Sequence, residues 1–281
     1  MKATSIEIPG FTIAYKAWGN PKLPPLLALH GWLDNANSFD QLAPFLQQQF
    51  HLIALDFPGH GHSSHLPEGC QYHFIDGIFI VLNIIKAFDF AQVHLLGHSM
   101  GACLASLIAG VEPQKILSMV LIEALGPFSN PESSACEQLA GYANKISKVQ
   151  NKKAKPYQSL EQAASNRAQN GYLSQECAEI LAERGLQEFE QSFFWRHDRR
   201  LLLSSPLTMT EGQVLSCLEG IKAKSCLIRA SRGFEFDFKI FDKRVEAVKN
   251  LKVFSLDGGH HIHMERPEAV AQCLADFYQE V

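Results

Sequence analysis

The pentapeptide Gly97-His98-Ser99-Met100-Gly101 follows an apolar run at residues 93–96 and opens a second apolar segment at 102–109. This is G-x-S-x-G between a strand and a helix, the setting in which that pattern lifts a serine hydroxyl onto a sharp, strained turn. The backbone of such a turn passes close to its neighbours, so the flanking positions need residues without bulk, and Gly97 and Gly101 meet the need. A serine at its ordinary pKa is a weak nucleophile and requires a hydrogen-bonded base that is itself held by a third group. The base is offered near the other end of the chain, in Asp257-Gly258-Gly259-His260-His261-Ile262-His263. A histidine on a glycine-freed loop just past a strand end can reach across to the neighbouring strand end. His260, directly after the two glycines, is the preferred base, with His261 and His263 as the other candidates.

The His-x-His spacing at 261 and 263 also suits a metal, but no ligand cluster of complementary spacing accompanies it, and no metal is expected. His60, His62 and His65 are assigned to a polar, solvent-accessible loop. Gly59 and Gly61 in the same stretch lack the third glycine of a phosphate-binding G-x-G-x-x-G, its place being taken by Ser64, so loop geometry explains them better.

The elements that position these groups follow from the apolar pattern. Residues 6–8 and 11–15 alternate polar and apolar about Pro9-Gly10, which predicts a strand pair. Short unalternated runs at 26–29, 52–55, 93–96, 119–122, 226–228 and 252–254 suit strands buried on both faces of a parallel sheet. Segments of helical period lie between them, starting at caps such as Ser38 with Gln41 and at Asp76. Strand and helix alternate, so the class is α/β, with ligands placed at the carboxyl ends of the strands. From Pro127 to Cys217 the strand runs stop. Asn130-Pro131, Ser159 with Gln162, Arg184-Gly185, and Thr210 with Gln213 mark successive helix starts and stops there. The segment is therefore expected to be an all-helical cap (residues 127–217) inserted into a core of residues 1–126 and 218–281, lying over the pocket like a lid.

With 281 residues and 46% of them hydrophobic, the chain can bury a large core, and global disorder is excluded. The formal net charge of −4 has the wrong sign for a nucleic-acid partner. The lysines at 145, 148, 152, 153 and 155 lack interleaved aromatics and read as a solvated helix face. Seven scattered cysteines without a CxxC pair suit a reduced interior, and the N-terminus carries no apolar stretch of signal or membrane-spanning length. A cytoplasmic protein acting on a small molecule, without membrane insertion, is expected.

Taken together, His30-Gly31-Trp32, Asp56-Phe57-Pro58-Gly59-His60-Gly61-His62-Ser63, the turn from Gly97 to Gly101, and Gly259-His260 with Glu265 and Pro267 resemble the α/β-hydrolase superfamily over the whole chain outside the lid. The stretches 195–201, 205–207 and 210–214 make it similar to the serine hydrolase-like branch. The resemblance implies the α/β-hydrolase fold, a mostly parallel central sheet flanked by helices, and a serine nucleophile. It also implies an oxyanion hole from the backbone N–H of Met100 and of Trp32, the residue after His30-Gly31, with the Trp32 indole lining the pocket. His30 is expected to brace its loop.

The superfamily order is nucleophile, acid, histidine. Its usual acid follows the strand after the lid, where this chain has Gly233. Glu235 or Asp237 from a longer loop are possible replacements. Glu123, at the end of the strand before the lid, resembles the acid of some haloalkane dehalogenases and is preferred; those enzymes, however, use an aspartate nucleophile where this chain has Ser99. The expected function is a cofactor-free serine hydrolase acting by acyl transfer on a carboxylic ester through Ser99, His260 and Glu123. The alternatives are a carbon-carbon bond hydrolase or lyase using the same residues, and a ligand-binding protein that has lost the reaction.

Overall fold

The computed structural model describes residues 4–151, 153–234 and 238–279. The amino-terminal alternation forms a hairpin of β1 (Ser5–Ile8) and β2 (Phe11–Trp18). The apolar runs that follow become β3 (Pro25–Leu29), β4 (His51–Leu55), β5 (Val93–His98) and β6 (Ile116–Ile122), with helices α1 (Ala43–Leu46), α2 (Asp76–Ala87) and α3 (Met100–Val111) between them. Next come α4 (Ala135–Asn151), α5 (Leu160–Asn170), α6 (Gln175–Gly185), β7 (Leu186–Phe189), β8 (Ser192–Trp195) and α7 (Glu211–Glu219). The chain then returns to the sheet with β9 (Lys224–Arg232), α8 (Phe238–Ala247), β10 (Leu251–Gly259), α9 (Ile262–Glu265) and α10 (Pro267–Tyr278).

The main sheet has the order β1-β2-β4-β3-β5-β6-β9-β10, parallel from β4 onward and antiparallel where β2 meets β1 and β4. Successive strand residues point to opposite faces, which divides each apolar run between two cores. Leu27, Leu29, Leu95, Leu121 and Leu227 pack on one face against residues of α2, α3, α7 and α8. Leu26, Ala28, Leu96, Val120 and Ile228 pack on the other against α1 and α10. Burial on both faces is why these runs show no polar alternation.

The segment expected to be all-helical contains one exception. β7 and β8 form an antiparallel hairpin, and Tyr157 joins its edge by a pair of backbone hydrogen bonds to Phe193. The turn residues Glu190 and Gln191 both adopt positive φ (48° and 61°), the conformation that usually selects Asn-Gly. With neither residue there, the sequence gives no hairpin signal.

The residue-217 boundary falls inside α7, which packs on α3 and α8; a Cβ on Gly110 of α3 would collide with the Cys217 carbonyl. Thr210 and Gln213 make the full reciprocal cap of α7, whereas Ser159 caps α5 alone because Gln162 turns to the Gln158 N–H instead. Ser38 is not a helix cap. It lies inside a short 3-10 turn (Ala36–Phe39) capped by Asn35, and its hydroxyl is committed to His263, 2.8 Å away.

Candidate active site

Ser99 sits between β5 and α3 with φ 50° and ψ −113°, a conformation costing about 1–3 kcal/mol for a non-glycine residue. The surroundings hold it there. Its N–H donates to the Ile122 carbonyl at 2.8 Å, and its carbonyl accepts from the Cys103 N–H at 3.0 Å. A Cβ on Gly101 would collide with the Leu29 carbonyl, and one on Gly97 with the backbone of Gly101 and Ala102. The glycines are therefore required by close approach, as the pattern suggested. Met100 opens α3, so its N–H is one of the donors that a helix start leaves without an intrahelical partner.

Trp32 follows β3 and its indole N–H donates to the Leu201 carbonyl of the inserted segment at 2.7 Å, leaving the side chain 53% exposed. His30 is fully buried. Its Nε2 accepts from the Phe57 N–H at 3.1 Å and its Nδ1–H donates to the Gly31 carbonyl at 2.7 Å, while burial lowers its pKa. Bracing of this loop is what those bonds accomplish. His62 and His65 are exposed, but His60 is buried: it packs on the His30 ring, donates from Nδ1 to the Pro58 carbonyl, and accepts from the Leu33 N–H. Burial depresses its pKa strongly, so it is a neutral structural ring rather than part of a wet loop.

Glu123 directly follows β6 and, like Ser99, has positive φ (63°). Its side chain is buried. One carboxylate oxygen accepts from the Ala230 N–H at 2.6 Å, and the other accepts from the Phe234 N–H at 2.9 Å and lies 3.1 Å from His260 Nδ1. Burial opposes ionisation of Glu123, but the His260 ring and the two backbone donors outweigh it and hold the carboxyl below its usual range. Charge and tautomer follow together: a carboxylate at Nδ1 keeps a proton there and leaves Nε2 as the free acceptor. Glu235 and Asp237, the rival carboxylates, lie outside the described residues.

The other two histidines of the loop are turned elsewhere. His263 is fully buried against the Ser38 hydroxyl, and burial lowers its pKa strongly. His261 donates from Nδ1 to the Tyr172 carbonyl at 3.0 Å and faces Asp34 Oδ2 with Nε2 at 3.3 Å. His98, inside the pentapeptide, donates from Nε2 to the His260 carbonyl at 2.9 Å, and burial lowers its pKa to about 4. A hydrogen bond thus joins the residue before Ser99 to the backbone of His260.

Asp34, His98 and His261 bring one ligand atom each within 4.8 Å of one another, a donor set that resembles a metal site. Its charge does not. Asp34 already faces the Arg167 guanidinium at 2.6 Å, and although burial opposes both charges, Asp34 is held well below the carboxylate range and His261 is raised by the pairing. The single carboxylate is already committed to the Arg167 guanidinium and to His261, and no second carboxylate joins the donor set to offset a divalent ion. The cluster is better described as a buried ion-pair network, and the sequence reading missed it because Asp34, Arg167 and His261 share no local spacing.

Further buried contacts, separate from this network, fasten the inserted segment to the strand-end loops. Arg184 of α6 binds both oxygens of the fully buried Asp56 at 2.9 Å, and the Asn35 and Asn37 side-chain amides donate to the Leu181 and Ile180 carbonyls. Arg200 pairs with Asp198 at 2.6 Å and donates to the carbonyls of Leu66, Pro67 and Cys70, which gives one arginine of the stretch 195–201 its role. Asp56 is also approached by the backbone at Gly61, where a Cβ would strike its carboxylate. Loop geometry is what that glycine serves.

From residue 24 to 179 the sequence matches the family model described as alpha/beta hydrolase fold. The chain belongs to the α/β-hydrolase fold family. Within it, the chain is 30% identical over 289 residues to a protein named "Serine hydrolase-like protein" from Danio rerio, covering 98% of this chain and 87% of that one. A crystal structure of a hypothetical protein from Pseudomonas aeruginosa PAO1 superposes with a TM-score of 0.93 at 34% identity, over 99% of this chain and all of the other (100%). A thioesterase domain from the curacin biosynthetic pathway superposes at 0.86 with 27% identity, over 98% and 99%. Membership of a serine hydrolase-like family and the fold expected from the motifs are thereby established. Among the described residues, no helix is long and apolar enough to cross a membrane.

Proposed function

We propose that this protein is a serine hydrolase that cleaves carboxylic esters by acyl transfer, with Ser99 as nucleophile, His260 as base and Glu123 as the acid that holds the base. The observation that carries the proposal is the hydrogen bond between Glu123 and His260 Nδ1, spanning 137 positions of sequence. In this reading Glu123 is the third member of the triad, reaching from β6 over the strand end where the family's usual aspartate is missing.

In the proposed reaction, Ser99 Oγ attacks the ester carbonyl as its proton passes to His260 Nε2, and ionised Glu123 stabilises the resulting imidazolium. The oxyanion accepts hydrogen bonds from the Met100 and Trp32 N–H groups, each such donor being worth about 2.7–4 kcal/mol in comparable sites. The tetrahedral intermediate collapses, its C–O bond breaks, and the departing alkoxide takes the proton from His260. Water then attacks the acyl-serine with His260 again as base, releasing the acid and restoring Ser99. No cofactor enters these steps.

Residues 127–217 serve in this proposal as the cap, except that α7 at its end packs with the catalytic body of residues 1–126 and 218–281. Thioesters are a second substrate class, favoured by the likeness to a thioesterase domain at 27% identity. Hydrolysis of p-nitrophenyl butanoate tests the proposal: the wild type turns it over, and Ser99→Ala abolishes turnover while keeping the melting temperature. Turnover retained in a folded Ser99→Ala protein would contradict it.

A further inference from the structure

His260 is flanked by aromatic rings from two segments distant in sequence, and a third ring extends the row. Phe234, after β9, lies with its centroid 5.8 Å from the His260 ring, and Tyr172, after α5, lies 6.3 Å from it. Phe128, after β6, continues the row 5.5 Å from Phe234, which is itself 5.8 Å from Tyr172. Phe128 and Tyr172 remain 69% and 67% exposed. Large apolar rings left open to solvent beside a buried histidine are surface for which the described residues provide no full cover.

Two of these residues are fixed by the site itself. The Phe234 N–H donates to Glu123, the carboxylate that touches His260, and the Tyr172 carbonyl accepts from His261, the residue next in sequence. The backbone that carries each ring is therefore anchored beside His260, which lowers the ordering cost of binding against them.

Chemistry decides which part of a substrate meets them. His260 delivers its proton to the departing oxygen, so the group attached to that oxygen lies on the imidazole side. We infer that Phe128, Tyr172 and Phe234 form a leaving-group subsite, selecting esters whose alcohol portion is uncharged and ends in an aromatic ring. This inference rests on the proposed Ser99–His260 acyl transfer for its direction, whereas the binding of a ring-bearing alcohol does not depend on turnover.

The test has two arms. In the first, 3-phenylpropan-1-ol is titrated into the folded, non-reacting Ser99→Ala protein by calorimetry. Saturable binding is expected, weakened roughly threefold to tenfold by adding Phe128→Ala or Tyr172→Ala; binding that is absent, or indifferent to both changes, overturns the subsite. In the second, the kcat/KM ratio of 3-phenylpropyl butanoate to propyl butanoate is measured. It should fall by a similar factor in Phe128→Ala, while the ratio of ethyl 4-phenylbutanoate to ethyl butanoate should hold. A fall in the second ratio instead of the first makes the rings an acyl site and overturns the assignment. Ring-dependent binding of the alcohol with no ester turned over by the wild type would sink the acyl-transfer proposal and leave the subsite standing.

Discussion

Gly233 and Glu123 claim the same space: a single carbon added to Gly233 would collide with both carboxylate oxygens of Glu123. The strand end that lacks an aspartate is thus the strand end over which a carboxylate from the neighbouring β6 is folded. Glu123 accepts backbone N–H groups on either side of Gly233, from Ala230 and Phe234, so the loop and the glutamate are fitted to each other.

Exchange of the two positions should therefore be reciprocal. Glu123→Gln keeps the shape but not the charge, and kcat on an activated ester should fall by roughly 10⁴, the loss seen when the triad aspartate of a well-studied enzyme is changed to its amide. Gly233→Asp alone should be poorly active because the new side chain meets Glu123. The pair Glu123→Gly with Gly233→Asp should recover at least tenfold over Glu123→Gly alone. Steady-state kinetics on the four proteins decide this, and equal activity of the double and single variants would mean that the space is not interchangeable.

His98 should act as a positioning residue through its donor bond to the His260 carbonyl. Replacement by Phe removes the donor and should lower kcat by roughly tenfold to a hundredfold, the range for small misplacement of a reacting group. KM should change little. His98→Gln, which restores a donor at a similar reach, should recover most of the loss, and failure of that rescue would reduce His98 to a packing role.

The buried histidines give stability a defined pH dependence. His261 has a folded pKa above its ordinary 6.5, so its contribution is complete below about pH 6.5 and is lost as pH rises through the folded value. His98, lowered from 6.5 to about 4, contributes fully above 6.5 and loses that contribution as pH falls toward 4. Asp34, well below its ordinary 3.8, adds to the acid limb only below that value. Thermal denaturation across pH 4–9 should show both limbs, and His261→Gln should remove the alkaline one while sparing the acid one. An unchanged alkaline limb in that variant would show that the Asp34–His261 pair is not the group responsible.

The fastening of the inserted segment should be visible in stability. Arg184→Met leaves the carboxylate of Asp56 buried without its cation, a situation that costs about 3–5 kcal/mol in comparable sites. Arg232→Ala, which breaks an ion pair exposed on both sides, should leave denaturant midpoints unchanged. Equal effects of the two substitutions would contradict the importance given to the buried contact.

The sheet was readable because its strands are buried on both faces, so runs such as 26–29 and 52–55 carry no polar residue to obscure them. The turn at Ser99 was readable for a related reason: close packing at Gly97 and Gly101 excludes every side chain, which leaves a visible glycine pattern. Glu123 needed a comparison between families, because a lone carboxylate at a strand end has many possible partners. The β7–β8 hairpin was hidden by a turn of Glu190 and Gln191 whose positive φ is imposed by the pairing of the strands rather than by residue type. His60 and the Asp34–Arg167–His261 network were hidden for a different reason. His60 is buried by the return of its loop onto His30 and Leu33, and the network joins segments more than a hundred residues apart, so no local spacing records either.

The role assigned to Ser99 is tested most directly by mass-spectrometric mapping of a fluorophosphonate adduct, with labelling rates compared among the wild type, His260→Ala and Glu123→Gln. A single adduct on Ser99, formed far more slowly when either partner is replaced, is the predicted result. An adduct on another residue, or labelling of Ser99 at the same rate in all three proteins, would contradict a serine activated by a glutamate-held histidine.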